Sequence, residues 1–305
     1  MRRLATLAIL PIAATLMGQA APSAPPAAPK STFVTPGGVV EAAPAGDWRE
    51  IPATDLLVFD LAGDRRVVMQ LAPTFAPVHV ANLRALAKGG WWDGAKIYRV
   101  QDNYVVQWGN NESERSLPAG VVAKPPAEYH RAYRGLRITP TGSPDAYAPA
   151  AGFVDGWPMA YDAKRGTANL AHCYGMVGVG RDMAPDTGTG GELYAVIGHA
   201  PRHLDRNIAL VGRIVSGFEA MTTLPRGTEA LGFYKERSSD VPIVRARLAA
   251  DIPAAERPRF EYLSGASFAA YLNARKNRRD DFFIRPAGGV DVCNVNPPVR
   301  AVAAR

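Results

Sequence analysis

Short stretches of alternating or continuous apolar character mark a series of β-strands. The runs "DLLVFDLAG" (55–63) and "RRVVMQLA" (65–72) are rich in β-branched and apolar residues, with Gly63 and Asp64 between them as a hairpin turn. The period then changes over 76–90, "APVHVANLRALAKGG". There Val80, Leu83, Leu86 and Ala87 share one helical face, Pro77 suits the first turn, and Gly89 ends the helix. "KIYRV" and "YVVQWG" return to strand chemistry, and "YGMVGVG", "LYAVIG", "NIALVGRIVSG" and "VPIVRARLA" continue it, with "GFEAMTTLP" as a second short helix. Residues 111–172 are rich in Pro, Gly and Tyr and predict a long elaborated loop holding short strands such as "GLRIT". Many short strands with two brief helices predict a closed or sandwiched all-β domain. Beyond residue 253, "ASFAAYLNARKNRR" predicts an appended amphipathic helix.

The N-terminus changes this picture by adding an address. "MRRLATLAILPIAATLMGQA" has two arginines, a short apolar core and small residues at its end, the pattern of a secretory signal. The expected organisation is a signal peptide at 1–20, a disordered Ala/Pro-rich tether at 21–50, a folded domain at 51–252 with the insertion at about 111–172, and a C-terminal extension at 253–305. The mature chain is expected to be exported, periplasmic in a Gram-negative cell, monomeric, and without a membrane span. The net charge of +7 is scattered along the chain. "RKNRR" at 275–279 reads as the wet face of a helix, so no nucleic-acid partner is expected. Two cysteines, Cys173 and Cys293, in an exported chain predict a disulfide that ties the extension to the domain.

Candidate chemistry centres on Arg99, which stands between Tyr98 and Val100 just before the apolar run "YVVQWG". A guanidinium costs free energy to desolvate. It belongs either at a strand edge beside a carboxylate or at the rim of an apolar pocket that uses its charge. Two other patterns compete. "DTGT" (186–189) spells an aspartic-protease loop, but the chain has no second copy of it. His199 and His203 have zinc-like spacing, but Pro201 between them opposes a helix. No metal or cofactor is expected.

The order of segments carries a resemblance. "APVHVANLRALAKGG" is followed by "YRVQDNYVVQWGN", and much later by "GMVGVGRD", "GGELYAVIG" and "RHLDRNIALVGRIVSG". This series resembles the cyclophilin-type peptidyl-prolyl cis–trans isomerases over roughly residues 55–248. The resemblance implies a mainly β fold, a closed eight-stranded antiparallel barrel with two capping helices. This chain would add the long loop insertion and the C-terminal helical extension. It implies rotation of X-Pro bonds in proline-containing segments of exported proteins. Arg99 falls on the catalytic arginine and Gln107 on the glutamine that orients it. Tyr104, Val105, Tyr194 and Leu204 fall on the walls of the proline pocket. Arg181 falls near the backbone that holds the preceding residue, and Glu192 stands where the family has glutamine. His203, Ile208 and Trp108 depart from the family's tryptophan, histidine and glycine. A non-catalytic peptide-binding module is the alternative reading, and an aspartic-protease-like hydrolase a remote one.

The chemistry suits these residue types. Amide resonance opposes rotation with a barrier of roughly 18–20 kcal/mol. A donor aimed at the prolyl nitrogen stabilises the twisted state, because that lone pair is available only once resonance is broken. Such a charge-assisted hydrogen bond contributes roughly 1.5–3 kcal/mol, one to two orders of magnitude in rate. Apolar walls that exclude water must supply the rest.

Overall fold

The computed structural model describes residues 33–110, 115–199, 201–280 and 282–302. The expected export signal lies outside the described residues. In chain order the strands are β1 (Trp48–Glu50), β2 (Leu56–Leu61), β3 (Arg65–Leu71), β4 (Lys96–Val100), β5 (Val105–Gly109), β6 (Arg131–Ala132), β7 (Thr139–Pro140) and β8 (Ala150–Val154). They continue as β9 (Trp157–Asp162), β10 (Thr167–Leu170), β11 (Met176–Val179), β12 (Leu193–Val196), β13 (Leu210–Ser216), β14 (Val241–Leu248), β15 (Phe260–Leu263) and β16 (Val299–Ala301). The α-helices are α1 (Pro36–Ala42), α2 (Pro77–Lys88), α3 (Glu219–Thr222) and α4 (Gly265–Lys276).

Eight strands close into an antiparallel barrel in the order β11-β12-β5-β4-β14-β2-β3-β13. This is the mainly β closed barrel the resemblance implies. The β2–β3 hairpin turns through Gly63 and Asp64 at φ 78° and 55°, left-handed values that glycine and aspartate adopt most readily. The barrel core takes Phe59, Met69, Val106, Trp108, Val177 and Leu193 from the strands and Val80, Leu83 and Leu86 from α2. Trp108 is fully buried inside the barrel, edge-on to Phe59 with ring centroids 5.6 Å apart. Its indole therefore fills the core and does not reach the outer face.

The insertion differs from the expected long loop. Residues 131–170 form a five-stranded sheet, β6-β10-β9-β8-β7, to which "GLRIT" contributes only the first residue of β7. Its central β8–β9 hairpin turns on Asp155 and Gly156 at φ 49° and 74°. Phe153, Trp157, Met159 and Leu170 of this sheet build a second core with Leu263 and with Phe268, Tyr271 and Leu272 of α4. Those three α4 residues follow the i, i+3, i+4 spacing of one helical face.

The disordered tether expected at 21–50 is corrected over its described part. Residues 36–42 form α1, with Thr35 Oγ1 accepting from the Gly38 N–H at 3.0 Å and Pro36 in the first turn. Val39 and Val40 pack onto the second core, and β1 pairs with β15 in a three-stranded sheet, β1-β15-β16. The apolar residues after Val34 give this segment a surface to bury, which the Ala/Pro run before it lacks. A Cys173–Cys293 disulfide joins the start of the barrel's β11 region to the C-terminal segment across 120 residues of sequence.

Candidate active site

Strand alternation sorts the residues of three neighbouring barrel strands between core and outer face. Val106 and Trp108 of β5 and Leu193 and Ala195 of β12 point inward. Val105 and Gln107, and Tyr194 and Val196, therefore point out. Gln107 pairs with Tyr194 on one side and with Arg99 on the other. One row across β4, β5 and β12 thus carries Arg99, Gln107 and Tyr194. A register shift between Ile97 and Arg99 puts an extra residue into β4, so that both Tyr98 and Arg99 leave the core, while Ile97 and Val100 stay in it. The bulge is how an arginine follows a buried residue without entering the barrel.

Val105, Tyr194 and Val196 form the buried floor of a small apolar cluster, with Tyr104, Leu204 and Ile208 at its rim. Leu204 sits on a tight turn, Arg202–Leu204. His203 of the same turn stacks on Tyr104 with ring centroids 5.7 Å apart, and its Nε2 lies 3.0 Å from the Tyr104 hydroxyl. Tyr194 fits because Gly178 on β11 has no side chain: a Cβ there would lie 2.3 Å from the tyrosine oxygen.

Arg99 lies at the edge of this cluster. Nε donates to the Leu231 carbonyl at 2.7 Å, Nη1 to Gln107 Oε1 at 2.8 Å, and Nη2 to Gln101 Oε1. Three of the five guanidinium N–H groups are thereby used, leaving one on each Nη. All three acceptors are neutral, so they fix the fork without cancelling its charge. Phe233 lies beside the guanidinium, 5.5 Å from ring centroid to Cζ. Burial pushes the guanidinium pKa down from its ordinary value, partly offset by the surrounding tyrosines. This geometry excludes the strand-edge reading in which a carboxylate pairs with Arg99.

A second chain of hydrogen bonds runs behind Gln107. Its Nε2 donates to the Tyr98 hydroxyl at 2.7 Å, and that hydroxyl donates to Glu192 Oε2 at 2.6 Å. Burial pushes the Glu192 carboxyl up to about 7, against the opposing bonds from Tyr98 and the Asn110 N–H. Gly109 makes room for it, since a Cβ there would lie 2.1 Å from the carboxylate. Glu192, Gln107 and Tyr98 face a cleft of about 440 Å³ beside the apolar cluster, also lined by Trp91, Arg181 and Asp186. Arg181 spends its side chain on the Asn207 and Asp182 carbonyls, at 3.1 and 2.7 Å. Asp186 accepts from the N–H groups of Asp182 and Gly188 at 2.7 and 3.2 Å, stabilising its own loop. Helix α2 anchors that loop from the core side. Asn82 Nδ2 donates to the Thr189 and Val122 carbonyls, each at 2.9 Å, and its Oδ1 accepts from the Val122 N–H at 2.8 Å.

Known proteins resemble this chain in sequence and in fold. Residues 57–248 match the model of the cyclophilin type peptidyl-prolyl cis-trans isomerase family. The chain belongs to that family. Curated relatives described as probable peptidyl-prolyl cis-trans isomerases, from Brucella suis biovar 1 (strain 1330) and Brucella melitensis biotype 1, are each 24% identical over 193 residues. Those alignments cover 63% of this chain and 80% of each relative. The crystal structure of cyclophilin AquaCyp293 from Hirschia baltica shares the fold at TM-score 0.67 and 22% identity, covering 90% of this chain and 99% of that one.

Within the cyclophilin frame, sequence reasoning misses the segment from Gly227 to Phe233, which supplies the Leu231 carbonyl and the Phe233 ring to Arg99. A small clue is present: Gly232 adopts φ 80° directly against the Gln101 backbone, where a Cβ would lie 2.4 Å from its Cα. It also misses the partners behind the walls, Tyr98, His172 and Asp205. Ile208 packs against the apolar cluster, and His203 stacks on the Tyr104 ring at its rim.

Proposed function

We propose that this site catalyses rotation about X-Pro peptide bonds in extended segments of exported polypeptides. The observation that carries the reading is Arg99: a cation fixed by three neutral oxygens, with an N–H left on each Nη, at the lip of an apolar cluster. The proline ring would rest on Val105 and Tyr194, with Tyr104, Leu204 and Ile208 around it. An Arg99 N–H would then face the prolyl nitrogen. As the C–N bond twists, its lone pair localises and the hydrogen bond strengthens, so binding improves toward the transition state. Gln107 keeps the guanidinium in register and presents its amide toward the preceding carbonyl. Residues near Arg181 and Glu192 would receive the chain before the proline. The chemistry calls for no cofactor, and a single chain carries every group named, so the enzyme would act as a monomer.

Export is supported by the pattern of the first twenty residues and by the Cys173–Cys293 bridge, a bond suited to an oxidising compartment. Among the described residues no helix is long and apolar enough to cross a membrane. The test is a coupled proline-isomerisation assay on a short Ala-Pro peptide with the purified mature chain. Catalysed turnover that falls on the order of 10- to 100-fold in Arg99→Ala supports the reading. Tight peptide binding without turnover would make the domain a binding module instead.

A further inference from the structure

Behind the Tyr194 wall lies a line of polar side chains that the proposed chemistry does not touch. His172 is fully buried, and Arg202 and Asp205 are each 4% exposed. Asp205 Oδ1 sits 2.8 Å from His172 Nδ1, and the His172 backbone N–H donates to the same oxygen at 2.9 Å. The carboxylate can only accept, so Nδ1 carries the proton. Burial pushes the imidazole pKa down, which keeps the ring neutral and leaves Nε2 as an acceptor. The Tyr194 hydroxyl, 2.9 Å away, therefore donates to Nε2. On the far side, Arg202 Nε donates to Asp205 Oδ2 at 2.6 Å, and its two terminal nitrogens donate to the Asp145 carboxylate at 3.0 and 2.9 Å. Every direction along this line is fixed, from a carboxylate of the insertion to a hydroxyl of the proline cleft.

Buried polar groups of this kind are costly unless satisfied, so an aromatic wall needing no hydroxyl would be cheaper as phenylalanine. Here the hydroxyl fixes the ring. Tyr194 lies directly over the bare backbone of Gly178, which has no side chain to grip the ring, so the hydrogen bond at its buried tip is what holds it there. We propose that Asp145, Arg202, Asp205 and His172 form a positioning relay through which the insertion holds Tyr194 in place as a wall of the proline cleft. None of the four is a catalytic residue. The inference rests on the proposed isomerase site.

The test is a double-mutant cycle between Asp145→Ala, remote from the cleft, and Tyr194→Phe, which removes only the hydroxyl. Tyr194 would contact the proline ring in the ground and transition states alike, so losing its placement should raise KM and spare kcat. Asp145→Ala is expected to raise KM three- to tenfold with kcat within twofold. In the Tyr194→Phe background the same substitution should leave KM within about twofold, because the relay then ends on nothing. Asp145→Glu should recover part of the affinity. An equal rise in both backgrounds, or no rise in either, overturns the relay. If Asp145→Ala does not fold, Asp145→Asn takes its place in the cycle. Should the wild type bind peptide without turning it over, the cycle is read as peptide Kd by calorimetry. Should it do neither, the proposed function fails, and the relay is judged from the imidazole ¹⁵N resonances of His172. A shift of Nε2 in both Tyr194→Phe and Asp145→Ala supports it, and an unmoved ring in Asp145→Ala refutes it.

Discussion

Glu192 should make stability and activity respond to pH in opposite directions. Its carboxyl is moved by burial from an ordinary 4.5 to about 7. That displacement corresponds to about 3 kcal/mol of penalty on the ionised form. The native state then holds a proton between pH 4.5 and 7 that the unfolded chain has released. This group therefore weakens the fold as pH rises from about 4.5 to 7, with no further change above. Activity should move the other way. The ionised carboxylate can only accept, so the Tyr98 hydroxyl must donate to it, and Gln107 must donate to Tyr98 through Nε2 and face Arg99 with Oε1. A protonated Glu192 can itself donate to Tyr98, and the constraint on the Gln107 amide lapses. Losing one orienting hydrogen bond is worth roughly 0.5–1.5 kcal/mol, a few-fold to about tenfold in rate.

The perturbation is Glu192→Gln, which keeps the shape and removes the titration. Urea unfolding between pH 5 and 8 gives the stability arm, and kcat/KM for an Ala-Pro peptide over the same range gives the activity arm. The wild type should lose up to about 3 kcal/mol relative to Glu192→Gln as pH rises, while its kcat/KM climbs through an apparent pKa near 7. Glu192→Gln should show neither inflection. His203 is an imidazole at the rim, stacked on Tyr104, so the activity profile is repeated in His203→Gln. Parallel stability curves for the wild type and Glu192→Gln would refute the burial argument. A wild-type activity profile that is flat, or whose inflection disappears only in His203→Gln, would refute the coupling to Gln107.

Three further outcomes are expected. Arg99→Ala should lower kcat/KM on the order of 10- to 100-fold with an unchanged melting temperature, and Arg99→Lys should recover little of it because a point charge cannot reproduce the fork. Trp108→Ala should destabilise the barrel by roughly 3–5 kcal/mol by emptying a fully buried site against Phe59, seen as a lowered denaturant midpoint. Removing the disulfide with Cys173→Ser and Cys293→Ser should cost up to roughly 5 kcal/mol on the chain-entropy model for a loop of 120 residues, and limited proteolysis should then cut the C-terminal segment before the barrel.

The barrel is legible in the sequence because its strands obey a local rule. "LLVFDL" against "RRVVMQL", and "YVVQWG" against "LYAVIG", each announce a pleated segment with an apolar face. The insertion is not read as a sheet because its signals are mixed with many Pro, Gly and Tyr residues. One clear signal nevertheless stands there: Asp155-Gly156 between "AAGFV" and "WPMAYD", a two-residue hairpin of the strongest kind. The first turn of structure, α1, is obscured in the same way. Its apolar positions, Val39 and Val40, acquire meaning only when α4 and the insertion sheet, far along the chain, provide the surface they bury against.

The candidate site divides along the same physical line. Val105, Gln107 and Tyr194 are legible because strand alternation sends them to one face, and the family order places their strands side by side. The groups that fix them are not, because hydrogen-bond partners are chosen by three-dimensional approach and leave no period in the chain. Leu231 offers Arg99 a backbone carbonyl, and a carbonyl has no letter in the sequence. Asp145 holds Arg202 across 57 residues, and His172 meets Tyr194 across 22, with neither spacing meaningful on its own. Even the bulge that turns Arg99 outward is invisible in "KIYRV", where simple alternation would leave Ile97 and Arg99 on the same face. The residues that would face a proline ring follow from strand chemistry, then, whereas those that decide how firmly each is held follow from the closure of the barrel and the docking of the insertion against it. Substitutions of the first kind should cut activity directly, and substitutions of the second kind should tune it.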